Sequence, residues 1–304
     1  MLTEKWTEKW RLKTQTWLPV VTSALFAGSF IAGKYAVVEL GPLTTSFFRY
    51  VVTLVFLSGL LWHFGTASLK VKAADLWRLM LLGSFGIVGY HYFFFSSLQH
   101  TDVANTAIIN AFSPVVSGIM AALFIKERLR RRSYGGGAIA LIGVLMLLTK
   151  GNLDNLLQLQ FKLGDLLMLC AVLCWTVYAL LIKQLSARYS GFTITYYATL
   201  FGVVQLLFFA IAENWGTALH GASSAAILSV FYMGIGASGI GYLLYNLSIK
   251  TLGPTAIASS VYSLVPVFVS ILALLFFQQP ITAVMLASMG LIIVGLWVML
   301  GKSS

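Results

Sequence analysis

Two long apolar stretches of the sequence each carry one proline near the middle, at Pro114 and at Pro266. A proline inside a helix leaves the carbonyl four residues earlier without its usual N–H partner. Here the freed carbonyls belong to Asn110 and Tyr262, and Ser263 follows Tyr262 directly. In an apolar surrounding such groups need a partner or a wet cavity. The pattern predicts either a cavity wall whose polar groups face a ligand or a packing kink satisfied by neighbouring hydroxyl groups.

Aromatic and polar side chains recur at helical spacing in three further apolar stretches. Gly86, Tyr90, Phe93 and Ser97 share one helix face by their spacing. Such a stripe usually belongs to a packed core, but buried phenol and indole groups also need hydrogen-bond partners. A packing role and a role in lining a cavity both remain open. The candidate cavity residues of these stretches are Tyr90, Trp175, Tyr178, Tyr242, Tyr245 and Asn246.

Ionisable side chains are rare inside the apolar stretches. Lys34, Arg49 and His91 lie within them, whereas all nine Asp and Glu residues fall in loops or at helix ends. Charge inside a membrane is costly and usually functional. Lys34 and Arg49 therefore either extend to the membrane surface, with Glu39 as a partner, or capture an anionic, carboxylate-bearing ligand. His91 is the remaining candidate for carrying protons, although the sequence offers it no acidic partner.

The scatter of the reactive residues disfavours an enzyme. The four histidines lie in different loops and helices, and the two cysteines, Cys170 and Cys174, are typical of small residues in a packed helix. No nucleophile–base pair or metal-ligand cluster emerges from this distribution. We expect no catalytic activity, no metal and no cofactor.

The composition requires a lipid bilayer as the solvent of this chain. Of its 304 residues, 59% are hydrophobic and 10% are charged, whereas a soluble domain has roughly 25% charged residues. The mean hydropathy is +0.89. A membrane-spanning helix needs about 20 apolar residues. The sequence predicts an all-α membrane protein with ten spans, near 17–38, 43–63, 77–97, 104–125, 134–149, 164–183, 192–212, 223–248, 255–277 and 281–300.

The basic residues fix the predicted orientation. The net charge is +11, but with a cytoplasmic N-terminus sixteen of the twenty Lys and Arg residues fall on the inner side and two on the outer side. Basic residues accumulate in cytoplasmic loops of membrane proteins. We therefore expect both termini in the cytoplasm, and we interpret the charge as a topology signal rather than as a nucleic-acid interface.

The second half of the chain repeats the first with inverted orientation. The stretch around Pro114 returns 152 residues later around Pro266, and Gly89-Tyr90 returns as Gly241-Tyr242. The basic cluster at 126–132 does not return, because five spans per half place the second copy upside down. Inverted repeats are typical of secondary transporters, which hold their substrate where the repeats meet. The predicted units are residues 1–150 and 151–304.

Motifs in the first half resemble those of the EamA family within the drug/metabolite transporter superfamily. They comprise Ala27-Gly28-Ser29 with Lys34, Pro42 with Arg49 in "FFRY", and Pro114 with Glu127 in "KERL". Two positions depart from the family pattern: Ala27 stands where the family often has Trp, and Gln279 stands in the slot equivalent to Glu127.

The resemblance implies ten helices around a central cavity and the export or exchange of small metabolites such as amino acids. It also implies a monomer in a bacterial inner membrane. Two alternatives within the superfamily stay open: an exchanger of nucleotide sugars or organic anions, and a drug exporter.

Overall fold

The computed structural model of the chain describes residues 2–64, 69–124, 131–152, 161–245 and 254–300. Over these ranges the regular structure is entirely helical. A helix satisfies its own backbone hydrogen bonds, which an apolar membrane interior requires. A short helix, Trp215–Gly221, precedes the eighth long one. The long helices are α1 Leu2–Leu40, α2 Pro42–Phe64, α3 Ala73–His100, α4 Val103–Phe124, α5 Arg131–Leu148, α6 Leu163–Leu185, α7 Gly191–Ala212, α8 Ser224–Tyr245, α9 Pro254–Phe277 and α10 Ala283–Leu300.

Eight of these helices are long and apolar enough to cross a membrane. They are α1 from Trp17 onward, α2, α3, α4, α6, α7, α8 and α9. Helix α5 begins with Arg131 and Arg132, and the apolar part of α10 is the shorter segment Ala283–Met299. The chain is therefore an integral membrane protein. Crossing by α5 and α10, and with it the count of ten, stays a prediction, as does the side on which the termini lie.

Helices α5 and α10 approach each other closely through glycine. A Cβ added at Gly136 would lie 2.5 Å from the carbonyl oxygen of Gly295 and 2.5 Å from the backbone nitrogen of Met299. A Cβ added at Gly295 would lie 2.5 Å from the carbonyl oxygen of Gly136. Small residues allow helix backbones in membranes to come this near. The last helices of the two halves thus form one tightly packed pair.

Helices α3 and α8 each contain a π-helical segment at matching places in the two halves. The segments are Gly83–Gly89 and Tyr232–Gly241. Each ends immediately before a tyrosine, Tyr90 in α3 and Tyr242 in α8. Such segments are rare and occur frequently at functional sites. The repeat in the sequence thus corresponds to a repeated irregularity of the backbone.

The two proline helices differ in their continuity. Helix α4 is interrupted between its parts Val103–Asn110 and Ser113–Phe124, whereas α9 continues through Pro266. The hydroxyl of Ser113 donates to the carbonyl of Asn110 over 2.7 Å. The carbonyl that Pro114 frees is therefore satisfied by a neighbouring serine, as the packing-kink interpretation predicts.

A carboxylate fixes the start of α2. Glu213, just after α7, accepts hydrogen bonds from the backbone N–H groups of Leu43 at 3.1 Å and Thr44 at 2.7 Å. An acid in this place satisfies free donors and suits the positive end of a helix. Gly41, with φ of 79°, makes the left-handed turn between α1 and α2 beside this carboxylate. This anchor positions α2, which carries Arg49.

Candidate functional site

Seven of the described helices, drawn from both halves of the chain, line one central cavity. The space free of atoms is about 740 Å³ with its open mouth included. Nine of the residues selected from the sequence line it: Arg49, Tyr90, His91, Asn110, Trp175, Tyr242, Tyr245, Tyr262 and Pro266.

Four other predicted residues lie outside this lining. Pro114 lies beyond the interruption of α4, on the segment Ser113–Phe124. Ser263 follows Tyr262 on α9 and therefore points about 100° away around the helix. Lys34 contacts the backbone of α3, and Tyr178 lines a separate, smaller pocket. Asn246, the remaining candidate, lies outside the described residues.

Lys34 interacts with the backbone rather than with a carboxylate. Its ammonium donates a hydrogen bond to the carbonyl of Leu98 on α3. Glu39, its predicted partner, instead accepts from the backbone N–H of Ser223 at 2.6 Å and from the hydroxyl of Ser223 at 2.7 Å. Lys34 therefore ties α1 to α3, and Glu39 ties α1 to Ser223, the residue that caps the start of α8.

Tyr178 lines a smaller second pocket next to the cavity. The two spaces share Trp175 and Tyr242 as a common wall. The ring of Tyr178 packs over Gly86, where an added Cβ would lie 2.2 Å from its Cδ2 atom. The hydroxyl of Thr199, which also lines this pocket, has no hydrogen-bond partner in the described part of the chain.

Aromatic rings form most of the cavity wall. The ring of Tyr90 lies 5.1 Å from that of Trp175, and Phe26 of α1 lies 5.5 Å from Tyr242 and 6.1 Å from Tyr245. Rings at such separations attract each other. The hydroxyls of Tyr242 and Tyr245 form no hydrogen bond with the residues that the structure describes, so they are available to a ligand.

Sequence reasoning missed the contribution of α1. Phe26, Ser29 and Phe30 line the cavity. The motif identified in this region, Ala27-Gly28-Ser29, contains only one of these three residues. On α3 the cavity faces Phe94 rather than Phe93. Phe30 meets Phe94 edge-on at 4.9 Å, and this contact between helices selects the face. The other lining residues without a prediction are Ala107, Ala111, Val261 and Val265.

His91 is buried with partners for both ring nitrogens. Nδ1 lies 3.2 Å from the carbonyl of Ile87, and Nε2 lies 3.0 Å from the hydroxyl of Tyr50. A carbonyl only accepts, so Nδ1 carries the proton and Nε2 accepts from Tyr50. This arrangement suits a neutral imidazole that fixes α3 against α2, and a role of His91 in carrying protons stays a prediction.

Among the described residues that line the cavity, Arg49 is the one that carries a guanidinium. It is 5% exposed. Its Nε donates to the hydroxyl of Ser238 at 2.9 Å, and an Nη1 hydrogen points at the sulfur of Met233 at 3.9 Å. The guanidinium carbon also lies 5.5 Å from the centre of the Tyr50 ring. No carboxylate of the described ranges lies within 4.0 Å of this guanidinium.

Groups of three or more His, Cys, Asp and Glu side chains that could hold a metal do not occur within the described ranges. The described lining of the cavity offers aromatic stacking, hydrogen bonding and one buried positive charge.

Comparisons with known proteins identify a family of transporters. The profile of the EamA-like transporter family matches twice, over residues 15–149 and 162–301. The uncharacterized transporter YyaM of Bacillus subtilis is 26% identical over 82% of this chain and 82% of its own length. A probable terminal-alkyne amino-acid exporter of Streptantibioticus cattleyicolor is 27% identical over 84% of each chain. A solved crystal structure shares the fold with a TM-score of 0.61, at 19% identity over 92% of this chain and 97% of its own.

One further relative is named for a substrate other than an amino acid exported from the cell. The S-adenosylmethionine/S-adenosylhomocysteine transporter of Chlamydia trachomatis is 25% identical over 63% of this chain and 60% of its own length.

Proposed function

The chain belongs to the EamA-like transporter family, and from this premise we propose that it exports or exchanges amino acids or related small metabolites by alternating access. One observation carries the proposal. Tyr90 of α3 and Tyr242 of α8, at matching positions after matching π-helical segments, line the same cavity. A site shared by two related halves is what alternating access around a fixed site requires.

The two halves, residues 1–150 and 151–304, are proposed as inverted repeats that rock against each other. The odd number of helices in each half inverts the second copy, and the basic residues orient both termini toward the cytoplasm. The protein is proposed to act as a monomer in a bacterial inner membrane. The close pair of α5 and α10 supports the rocking of the two halves, because it joins the last helices of both halves outside the cavity lining.

The cavity wall suits an amphipathic metabolite. Rings of Phe26, Trp175 and Tyr245 accommodate an apolar body, and the phenols and the Asn110 amide meet polar groups. Asn110 already accepts at Oδ1 from Tyr90 at 3.4 Å, so its amide N–H₂ remains for a ligand. The amino-acid exporter among the relatives supports this substrate class.

Flux into proteoliposomes tests the proposal. Purified protein is reconstituted, and uptake of radiolabelled amino acids is followed against an unlabelled pool inside the vesicles. We expect saturable uptake that accelerates with internal substrate and that Trp175→Ala reduces at least several-fold. Trp62→Ala is the matched control, because Trp62 is 90% exposed and outside the cavity. Uptake that rises linearly with concentration would contradict a carrier.

The alternative functions predict other substrates. The largely aromatic wall would also suit an apolar drug, and the buried Arg49 would also suit an organic anion such as a nucleotide sugar. Exchange assays with a hydrophobic cation and with a nucleotide sugar separate these from the main proposal. Faster saturable flux of either compound than of every amino acid would favour that alternative.

A further inference from the structure

We propose that Arg49 binds a free carboxylate of the substrate, so that the cavity selects monoanionic carboxylic acids, including amino acids, with an apolar body. This inference rests on the proposed function and names the substrate class of the same site. It also excludes amines without an acid group as substrates.

The burial of Arg49 without a counter-charge is the first observation. The side chain lines the cavity at 5% exposure, and its described partners are a hydroxyl, a sulfur and aromatic rings. A buried charge is costly unless it is paired. Ser238, a neutral hydroxyl, cannot supply the missing negative charge. An anionic ligand entering the cavity would supply it.

Arg49 keeps enough free donors to bind a carboxylate. A guanidinium has five N–H donors, of which Nε and one on Nη1 are engaged by Ser238 and Met233. The other Nη1 hydrogen and both Nη2 hydrogens have no acceptor among the described residues. Two parallel N–H groups of this planar fork bind the two oxygens of a carboxylate.

The surroundings of Arg49 hold the fork in place before a ligand arrives. Ser238 orients the Nε side, and the rings of Tyr50 and Phe95 lie 5.5 Å and 6.0 Å from the guanidinium carbon. An arginine fixed in this way loses little side-chain entropy on binding. Because the guanidinium is held in one orientation, it favours a planar carboxylate over anions of other shapes.

The charge count of the lining limits the ligand to a single net negative group. Arg49 is the one Lys or Arg among the cavity-lining residues of the described chain, and Asp and Glu do not occur among them. A dianionic phosphate or diphosphate would bring a second charge without a partner. An additional ammonium is tolerated, because the faces of Trp175 and Tyr245 can attract a cation. Zwitterionic amino acids and simple carboxylates therefore both fit.

A matched series of four probes tests the inference on the wild-type protein. All carry a phenyl ring: 3-phenylpropionate is an anion, L-phenylalanine a zwitterion, and L-phenylalaninamide and 2-phenylethylamine lack the carboxylate. Dissociation constants are measured by titration in nanodiscs at neutral pH. We expect the two carboxylates to bind about 10- to 100-fold more tightly than the two compounds without the acid, as hydrogen bonds between charged groups give.

Two variants identify the residue. Arg49→Gln should abolish the preference for L-phenylalanine over L-phenylalaninamide, and Arg49→Lys, which keeps the charge but loses the planar fork, should retain only part of it. Arg78→Gln is the control, because it removes the same charge outside the cavity. A purely structural role would lower the melting temperature of Arg49→Gln and leave the ratio between acid and amide unchanged.

The outcomes separate this inference from the proposed function. Equal binding of acid and amide by the wild-type protein, or an unchanged ratio in a folded Arg49→Gln protein, overturns the carboxylate site. Absence of binding by both carboxylates overturns it as well. In each case saturable amino-acid flux that depends on Trp175 would leave the proposed function intact.

Discussion

The Nε atom of Arg49 donates a hydrogen bond to the hydroxyl of Ser238 over 2.9 Å, and this contact joins α2 of the first half to α8 of the second. Both residues are almost completely buried. Thr53, one turn further along α2, adds a second link, since its hydroxyl also lies 3.1 Å from the carbonyl of Gly234. These two contacts between the halves hold the guanidinium of Arg49. Movement of one half against the other would therefore move the guanidinium.

Removal of this hydroxyl should weaken binding of acids. In Ser238→Ala the guanidinium loses the partner that orients it, so we expect L-phenylalanine to bind several-fold more weakly while the protein remains folded. Titration in nanodiscs measures the change. Ser84→Ala, which removes a hydroxyl bound to Gln205 outside the cavity, should bind as the wild type does. Equal affinity of Ser238→Ala and wild type would show that Ser238 does not orient Arg49.

The hydroxyl of Tyr245 should contribute to binding without contributing to stability. It has no hydrogen-bond partner in the described part of the chain, so Tyr245→Phe removes a group that only a ligand uses. We expect binding of L-phenylalanine to weaken several-fold, as loss of about 1 kcal/mol predicts, with an unchanged melting temperature. Tyr92→Phe, on the exposed face of α3, is the control. A fall in melting temperature without a change in affinity would assign Tyr245 to packing.

The prolines of α4 and α9 should affect flux more than affinity. Pro266→Ala restores a backbone N–H within a continuous helix and stiffens it, while the other side chains that line the cavity stay in place. We expect flux to fall several-fold and affinity to change less than twofold, and we expect the same order of effects for Pro114→Ala. Pro42→Ala is the control, because a proline in the first helical turn leaves no carbonyl unpaired. An affinity loss as large as the flux loss would contradict a bending role.

Cysteine labelling should establish the orientation. In a protein with Cys170 and Cys174 replaced by serine, we expect cysteine at Arg131 or Ser186 to react only from the cytoplasm and cysteine at Ser224 only from outside. All three positions are exposed, whereas Ser133 is buried and donates to the carbonyl of Met299. Reaction of Arg131→Cys with an impermeant reagent from outside would contradict the inverted repeat.

The α5–α10 pair should be sensitive to a single methyl group. Gly136→Ala places a carbon 2.5 Å from backbone atoms of α10, so we expect a loss of about 1–3 kcal/mol in the free energy of unfolding. Gly135→Ala, where nothing lies within 4 Å of the added carbon, should be neutral or slightly stabilising. Thermal unfolding in detergent compares the two. Equal melting temperatures would mean that the helices separate at little cost.

Several features of the cavity followed from the sequence, because they depend on local order along the chain. The apolar runs predicted the helices, since a bilayer requires long apolar helices of nearly fixed length. The offset between Gly89-Tyr90 and Gly241-Tyr242 predicted that the two tyrosines are equivalent, and both line the cavity. Arg49 was identified because a charge inside an apolar run is conspicuous.

Other features depended on contacts between helices, which spacing along one helix does not encode. Lys34 and Arg49 are both cations within apolar runs, yet Lys34 meets the carbonyl of Leu98 while Arg49 faces the cavity. Glu39 was predicted as the partner of Lys34, but it accepts from Ser223 at the start of α8. Only the rotation of each helix against its neighbours decides which of two similar residues reaches the ligand.

By itself, the sequence determined an all-helical membrane protein with a repeated architecture, because hydrophobic length and charge asymmetry are properties of the chain. The tertiary structure alone decided that α1 supplies Phe26, Ser29 and Phe30 to the cavity and that Phe94 rather than Phe93 faces it. It also decided that Arg49 lacks an acidic partner within the described chain. Each of these depends on side chains from distant segments packing together, and packing is fixed only when the helices are assembled.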